Sequence, residues 1–152
     1  VRYDLAVAHT NLVYHLVYGT KDRLPLITKE LRPRLHRYLG GLVKGLHGTP
    51  LEINGTFDHV HVLARIKPVI SIAEFMSKFK STSSGWANRQ TRGKFKWQVK
   101  YGAFKLSQSQ VQRVQRYIEN QEAHHSKTTF EEEFRLLLKN NGIEFDERYL
   151  WE

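Results

Sequence analysis

His59 and His61 sit one residue apart in the run Asp58-His-Val-His-Val-Leu63. On an extended strand alternate side chains share a face. The two imidazoles therefore stand side by side, with Val60, Val62 and Ile66 on the opposite face. Paired nitrogen donors on a rigid element make half of a site for a divalent ion. In a chain with 8 histidines a lone His-x-His pair is weak evidence, and a structural pair is the plainer reading of that motif by itself. A second pair lies at Tyr117 and Gln121, four apart in a segment of helical character and so on one face. A phenol that can attack phosphorus and a neutral amide oxygen would then approach one ion together. Taken alone, this pair is more simply a packed tyrosine and a solvated glutamine. His124 and His125 follow, either near such a site or simply ending the helix, where cations suit the dipole.

The charge pattern names a class of partner. The 152-residue chain carries +9, yet Phe75 to Ile118 holds ten lysines and arginines and no acid, so the remainder is close to neutral. A basic block so sharply bounded suggests a polyanion. Phe79, Trp86, Phe95, Trp97, Tyr101 and Phe104 interleave with it. Cations for phosphates beside rings for bases suit single strands, although most of these rings also serve a core. Lys78, Lys80, Arg89, Arg92, Lys94 and Lys96 are the candidate backbone contacts. Cysteine is absent, which excludes disulfides and thiolate metal sites and agrees with a cytoplasmic setting. No apolar run is long enough to span a bilayer. Val1 to Thr10, with Arg2 and Asp4, lacks the apolar centre of a signal peptide.

The elements that must position these groups follow from periodicity. Leu12 to Thr20 reads as a strand, and Leu31 to Leu46 as a helix with apolar residues at helical spacing. Leu51–Phe57 and His59–Ile66 read as strands joined at Gly55 to Asp58. Ser71-Ile-Ala-Glu74 is a capping box opening a helix to about Asn88. Trp97–Val99 and Ala103–Leu106 are short strand candidates, and Ser109 is the expected cap of a helix reaching about His124. Thr128-Thr-Phe-Glu131 reads as a further capping box, for a helix that Asn141-Gly142 ends. A strand-helix-strand unit repeated predicts an α+β fold of ferredoxin-like or RRM-like type. It has an antiparallel sheet, two helices on one face and an additional C-terminal helix carrying Tyr117. The chain reads as one domain, with a core over about 9–125 and a C-terminal helix and tail over 126–152.

With these blocks in order, the chain resembles the single-tyrosine HUH transposases of the smallest bacterial insertion sequences, the IS200-like type. The likeness runs from His15-Leu-Val-Tyr-Gly-Thr-Lys21 through Asp58-His-Val-His-Val62, Phe79-Lys-Ser-Thr-Ser-Ser84, Lys96-Trp-Gln98 and Tyr101-Gly-Ala-Phe104. It ends with Tyr117-Ile-Glu-Asn-Gln-Glu-Ala-His-His125, Phe130-Glu-Glu-Glu133 and Tyr149-Leu-Trp151. Lys100, and Lys105-Leu106, depart from the usual pattern around the Tyr-Gly-Ala-Phe block. The resemblance implies Tyr117 as nucleophile and His59, His61 and Gln121 as ligands of Mg²⁺ or Mn²⁺. It implies a covalent 5′-phosphotyrosine, single-stranded DNA substrates with hairpins at transposon ends, and a homodimer in which Tyr117 of one chain serves the partner's metal. On this reading all three ligands are neutral, and the cation favours the phenolate of Tyr117.

Other functions remain open at this point. An RRM-like module that grips single strands without cutting accounts for the basic block, but not for Tyr117 and Gln121 beside the histidine pair. A domesticated relative would keep the pattern and lose transposition. A rolling-circle initiator or relaxase shares the chemistry but usually brings further domains. A two-histidine phosphoesterase would want a second His-x-Ser/Thr motif, which His36, His47, His124 and His125 do not provide.

Overall fold

The structure, a computed structural model, describes residues 8–152; Arg2 and Asp4 lie outside it. Four strands form one antiparallel sheet in the order β2-β3-β1-β4. They are β1 (Val13–Gly19), β2 (Gly48–Gly55), β3 (His59–Ile66) and β4 (Gly102–Leu106). Helix α1 (Leu31–Gly45) follows β1, and α2 (Ile72–Thr91) follows β3. This is the expected ferredoxin-like arrangement, with four strands.

Side-chain alternation divides the sheet into two differently used faces. Leu16, Tyr18, Val60, Val62, Ala64 and Ile66 point to one face and pack on Leu35, Leu39 and Val43 of α1 and on Phe75, Met76 and Phe79 of α2. The other face carries His15, His59 and His61, set among Val13, Val17 and Leu63. It is covered by α3 (Gln108–Glu119), the short α4 (Gln121–His125) and α5 (Phe130–Asn140). The residues after 125 belong to this layer. Phe130, Phe134, Leu138 and Leu150 are buried against Val17 and Phe104.

Several boundaries differ from the sequence reading, each for a local reason. Trp97 makes a single bridge to Thr20 rather than opening a strand. Its indole instead donates to Ser83 Oγ at 2.9 Å inside the core. The cap of α3 is Ser107, not Ser109, because Gln110 reaches back to the Ser107 backbone and completes a capping box. Thr129 caps α5, accepting from Glu132 N, one residue later than the expected box. Ser71 caps α2 as expected, accepting from Glu74 N at 3.1 Å. Gly142, at φ 69°, ends α5 with bonds from Gly142 N to Lys139 O and from Ile143 N to Leu138 O. The helix expected to run to His124 breaks at Asn120 (φ −96°, ψ 20°). There Asn54 Nδ2 from β2 donates to the carbonyls of Ile118 and Glu119 at 2.9 and 3.1 Å.

Candidate active site

The break at Asn120 aims the site. Asn54 is opposite His61 in the β2–β3 register, so the strand that supports the histidine also holds the end of the tyrosine helix. Gln121, the first residue of α4, is fully buried, and its Oε1 lies 2.8 Å from His59 Nε2. His59 and His61 are fully buried on one face, as the alternation requires. His59 Nδ1 is held by Asp58 Oδ1 at 2.9 Å and Thr56 Oγ1 at 3.1 Å, leaving Nε2 facing inward. Phe130 stacks on the His59 ring at 4.3 Å. Gly19 makes room for it, since a Cβ there would meet Phe130 at 2.7 Å.

At the centre lies Glu133 of α5, 3% exposed. Its Oε1 is 3.0 Å from His61 Nε2, 2.9 Å from His125 Nε2 and 3.5 Å from His59 Nε2. Its Oε2 accepts from Gln121 Nε2 at 2.9 Å and from the Tyr117 hydroxyl. His15 Nε2 lies 2.8 Å from His61 Nδ1 and fixes that ring from behind. Potential ligand atoms of His59, His61, His125 and Glu133 all fall within 4.8 Å of one another. The structure thus brings together all four sequence candidates, places His125 with them rather than only at the helix end, and adds Glu133 and His15. His124 stands at the rim, 3.5 Å from Glu133 Oε2.

The sequence carried a signal for Glu133. Phe130, Phe134, Leu137 and Leu138 mark the apolar stripe of α5, and Glu133 falls on that stripe at helical spacing. A charge there must be paired or ligating. His15 offered no comparable mark, because only the β1–β3 register places it beside His61.

The electrostatics follow from burial around one anion. Burial pushes His61 down to about 4, against the pull of Glu133, so its ring is neutral near neutral pH and free to bind a metal. Burial and the neighbouring His61 also lower His15. Burial alone would raise the Glu133 carboxyl. The adjoining His61 and the hydrogen bonds from His125 and His61 hold it well below the usual carboxylate range. Burial opposes the His125 charge too, but the bond to Glu133 outweighs it and raises that imidazole. Tyr117 moves upward in the absence of a cation. Burial, then the charge and hydrogen bond of Glu133, push its phenol well above the ordinary range. The chain alone therefore holds Tyr117 as the neutral phenol, and only a cation at the cluster reverses the balance.

Of the candidate DNA contacts, Arg89, Arg92, Lys94 and Lys96 are exposed on the end of α2 and the loop after it. Lys78 is exposed and pairs with Glu74 at 3.2 Å. Lys80 is turned inward, donating to the carbonyls of Gln98 and Val99 at 2.5 and 2.6 Å, and burial lowers it to about 8. Beside the tyrosine, a cleft of about 740 Å³ opens between α3 and α5, lined by His15, Arg113, Tyr117, His124, Glu133 and Lys139 among others.

A family profile described as transposase IS200 like matches residues 8–121, a span holding both histidines, Tyr117 and Gln121. The chain belongs to the IS200-like transposase family. Curated relatives are the transposases for insertion sequence element IS200 of Salmonella typhimurium (strain LT2) and Salmonella typhi, each 33% identical over 83 residues. That match covers 53% of this chain, which spans about half (55%) of each relative's length. Among solved structures, a protein from Deinococcus radiodurans R1 assigned as a transposase aligns with a TM-score of 0.61 at 23% identity. It covers 76% of this chain and 94% of the other. A REP-associated tyrosine transposase bound to a REP hairpin aligns with a TM-score of 0.60 at 10% identity, covering 79% and 72%. These two likenesses concern the fold. No helix among the described residues of this IS200-like chain is long and apolar enough to cross a membrane.

Proposed function

We propose that the chain is a metal-dependent transposase that cuts and rejoins single-stranded DNA through Tyr117, with His59, His61 and Gln121 holding Mg²⁺ or Mn²⁺. The observation that carries this is convergence: the Tyr117 hydroxyl, His61 Nε2 and Gln121 Nε2 all meet the carboxylate of Glu133. The donor set suits such an ion, with the His61 imidazole kept neutral by burial, the His59 nitrogen, an amide oxygen and a carboxylate. The carboxylate makes the set less neutral than the ligands named from sequence. Bound there, the ion would offset charge on the non-bridging phosphate oxygens.

The chain's own residues supply the rest. Tyr117 Oη attacks phosphorus, the bond to the 3′ oxygen breaks, and that oxygen leaves as a 3′-OH. The 5′ phosphate remains on the tyrosine, and attack by a 3′-OH reverses the step without ATP. Glu133 Oε2 receives the phenol's hydrogen bond and so orients the nucleophile. Residues 9–125 form the catalytic core, which 126–152 complete through Glu133. The setting is the cytoplasm, and the DNA carries hairpins at transposon ends, bound through Arg89, Arg92, Lys94 and Lys96.

Incubation with labelled single-stranded DNA and Mn²⁺ should give a covalent protein–DNA complex, and EDTA should prevent it. His59→Ala should lose cleavage yet keep most DNA affinity, which rests on phosphate contacts. Unchanged cleavage in EDTA or in that variant would remove the metal from the mechanism. Without an ion Tyr117 sits well above its ordinary range, and as long as the bound ion leaves its pKa above the working pH, its phenolate fraction grows about tenfold per pH unit. The rate of adduct formation should therefore rise between about pH 6 and about pH 9. A flat profile would mean that deprotonation does not limit the step.

The chain is proposed to work as a homodimer. We take Tyr117 to serve the clamp of its own chain rather than the partner's, a reading supported by the Glu133 carboxylate that Tyr117 and His61 share within one protomer. Mixing Tyr117→Phe with a His59→Ala/His61→Ala double variant should then restore no cleavage. Recovery in verified heterodimers would show that the tyrosine helix crosses between subunits.

A further inference from the structure

The layer behind the sheet, away from Tyr117, contains a feature that the catalytic chemistry does not use. Helices α1 and α2 enclose a groove of about 520 Å³ lined by Arg34, Arg37, Tyr38, Gly41, Trp86 and Gln90, with Leu42 at its floor. The rings of Tyr38 and Trp86 stack on each other at 4.6 Å and 11° and form one continuous aromatic platform. The Arg34 guanidinium lies 5.9 Å from the Trp86 ring centre and donates to Gln90 Oε1 at 2.8 Å. No lining residue is acidic. Helix α1 as a whole carries Arg32, Arg34, Arg37 and Lys44 and no carboxylate.

Gly41 sharpens the reading. Glycine inside a helix costs stability relative to alanine, and packing does not require it here. A Cβ at Gly41 would meet nothing within 4 Å. Its absence leaves the groove open. An aromatic platform in a groove with an amide at its edge and two arginines beside it suits an unpaired nucleobase stacked on the platform and flanked by phosphates.

We propose that this groove is a second DNA-contact surface, which takes an unpaired base of a single strand while Arg34 and Arg37 hold its neighbouring phosphates. The proposal rests on the reading of the chain as a single-strand DNA enzyme, and it adds α1 to the basic block recognised from Phe75 to Ile118.

Gly41→Glu tests it without touching the catalytic cluster, because the position is open and exposed. Binding of a fluorescein-labelled single strand of about 30 nucleotides, roughly twice the footprint of one such platform, is measured by anisotropy over a salt series. Gly41→Glu should weaken binding at least about tenfold, whereas Gly41→Ala should change it less than about twofold and raise the melting temperature. Arg34→Ala/Arg37→Ala should reduce the salt slope by about 1.4, the value for two released phosphates on a single strand. These losses should persist in the His59→Ala/His61→Ala background. Wild-type binding by both Gly41→Glu and the double arginine variant would overturn the proposal. So would competition by poly-glutamate as effective as by the unlabelled strand, since an acidic peptide would then be the better occupant. Failure of the wild-type chain to bind any single strand would instead sink the DNA reading itself.

Discussion

Tyr117→Phe should eliminate the covalent DNA complex while leaving the fold and DNA affinity nearly intact. The substitution removes one oxygen, and with it the only atom of that side chain able to attack phosphorus. The expected loss of adduct is therefore complete within detection, on the scale of at least about 10³-fold. The structural cost is small because Glu133 keeps its bonds from His61, His125 and Gln121 when the hydroxyl goes. One net hydrogen bond is worth about 1 kcal/mol, a few degrees of melting temperature at most for a chain of this size. The phenyl ring still packs edge-on to His15, His61 and His124. Denaturing gel electrophoresis of labelled substrate, with melting curves and anisotropy on the same samples, reads all three quantities. An adduct that persists would assign the attack elsewhere. Tyr101, the other tyrosine of the basic block, is an unpromising substitute: it packs with the core on the α1–α2 side, its ring 5.6 Å from Lys80 Nζ.

What could be read from sequence, and what could not, divides along physical lines. Alternation in β3 was legible because a strand has a period of two, and it put His59 and His61 on one face without any knowledge of the fold. The spacing of Tyr117 and Gln121 survived the break at Asn120, although the reason for the break was not legible. It depends on Asn54, more than sixty residues away, reaching the last carbonyls of α3. Capping positions slipped by one or two residues because Ser107 and Ser109, like Thr128 and Thr129, are chemically equivalent caps. At Ser107 the choice is decided by the Gln110 side chain, which reaches back to the cap's backbone. The anion that faces Tyr117 was not legible for a related reason. Nothing local in Tyr117-Ile-Glu-Asn-Gln121 announces a carboxylate arriving from a different helix.

That carboxylate makes the other large prediction. Glu133→Gln should weaken Mn²⁺ binding by about 10- to 100-fold, the usual cost of losing a group that ligates or orients ligands. Two geometric effects add. Glu133 Oε1 is the anion facing His61 and His125, and Glu133 Oε2 turns the Gln121 amide so that its carbonyl oxygen points at His59 Nε2. A glutamine in this place loses the charge, and its amide end can no longer accept from Tyr117 or Gln121 on that side. Free Mn²⁺ in the absence of DNA can be counted by its electron paramagnetic resonance signal, so the measurement does not depend on cleavage. The same ion should raise the stability of the wild-type chain by about 2.7 kcal/mol at a hundred times its dissociation constant. At that metal concentration a 100-fold weaker variant would retain only about 0.4 kcal/mol of the stabilisation. Glu133→Asp serves as the control for charge. It keeps the anion near His61 but is too short to reach Tyr117 as well, so it should recover metal binding better than adduct formation. If His59→Ala abolishes Mn²⁺ binding while Glu133→Gln and wild type bind alike, the ion sits with the histidines and Glu133 serves only the fold. If none of the three binds Mn²⁺, the cluster is held together by its own hydrogen bonds, and the metal must enter, if at all, with the DNA.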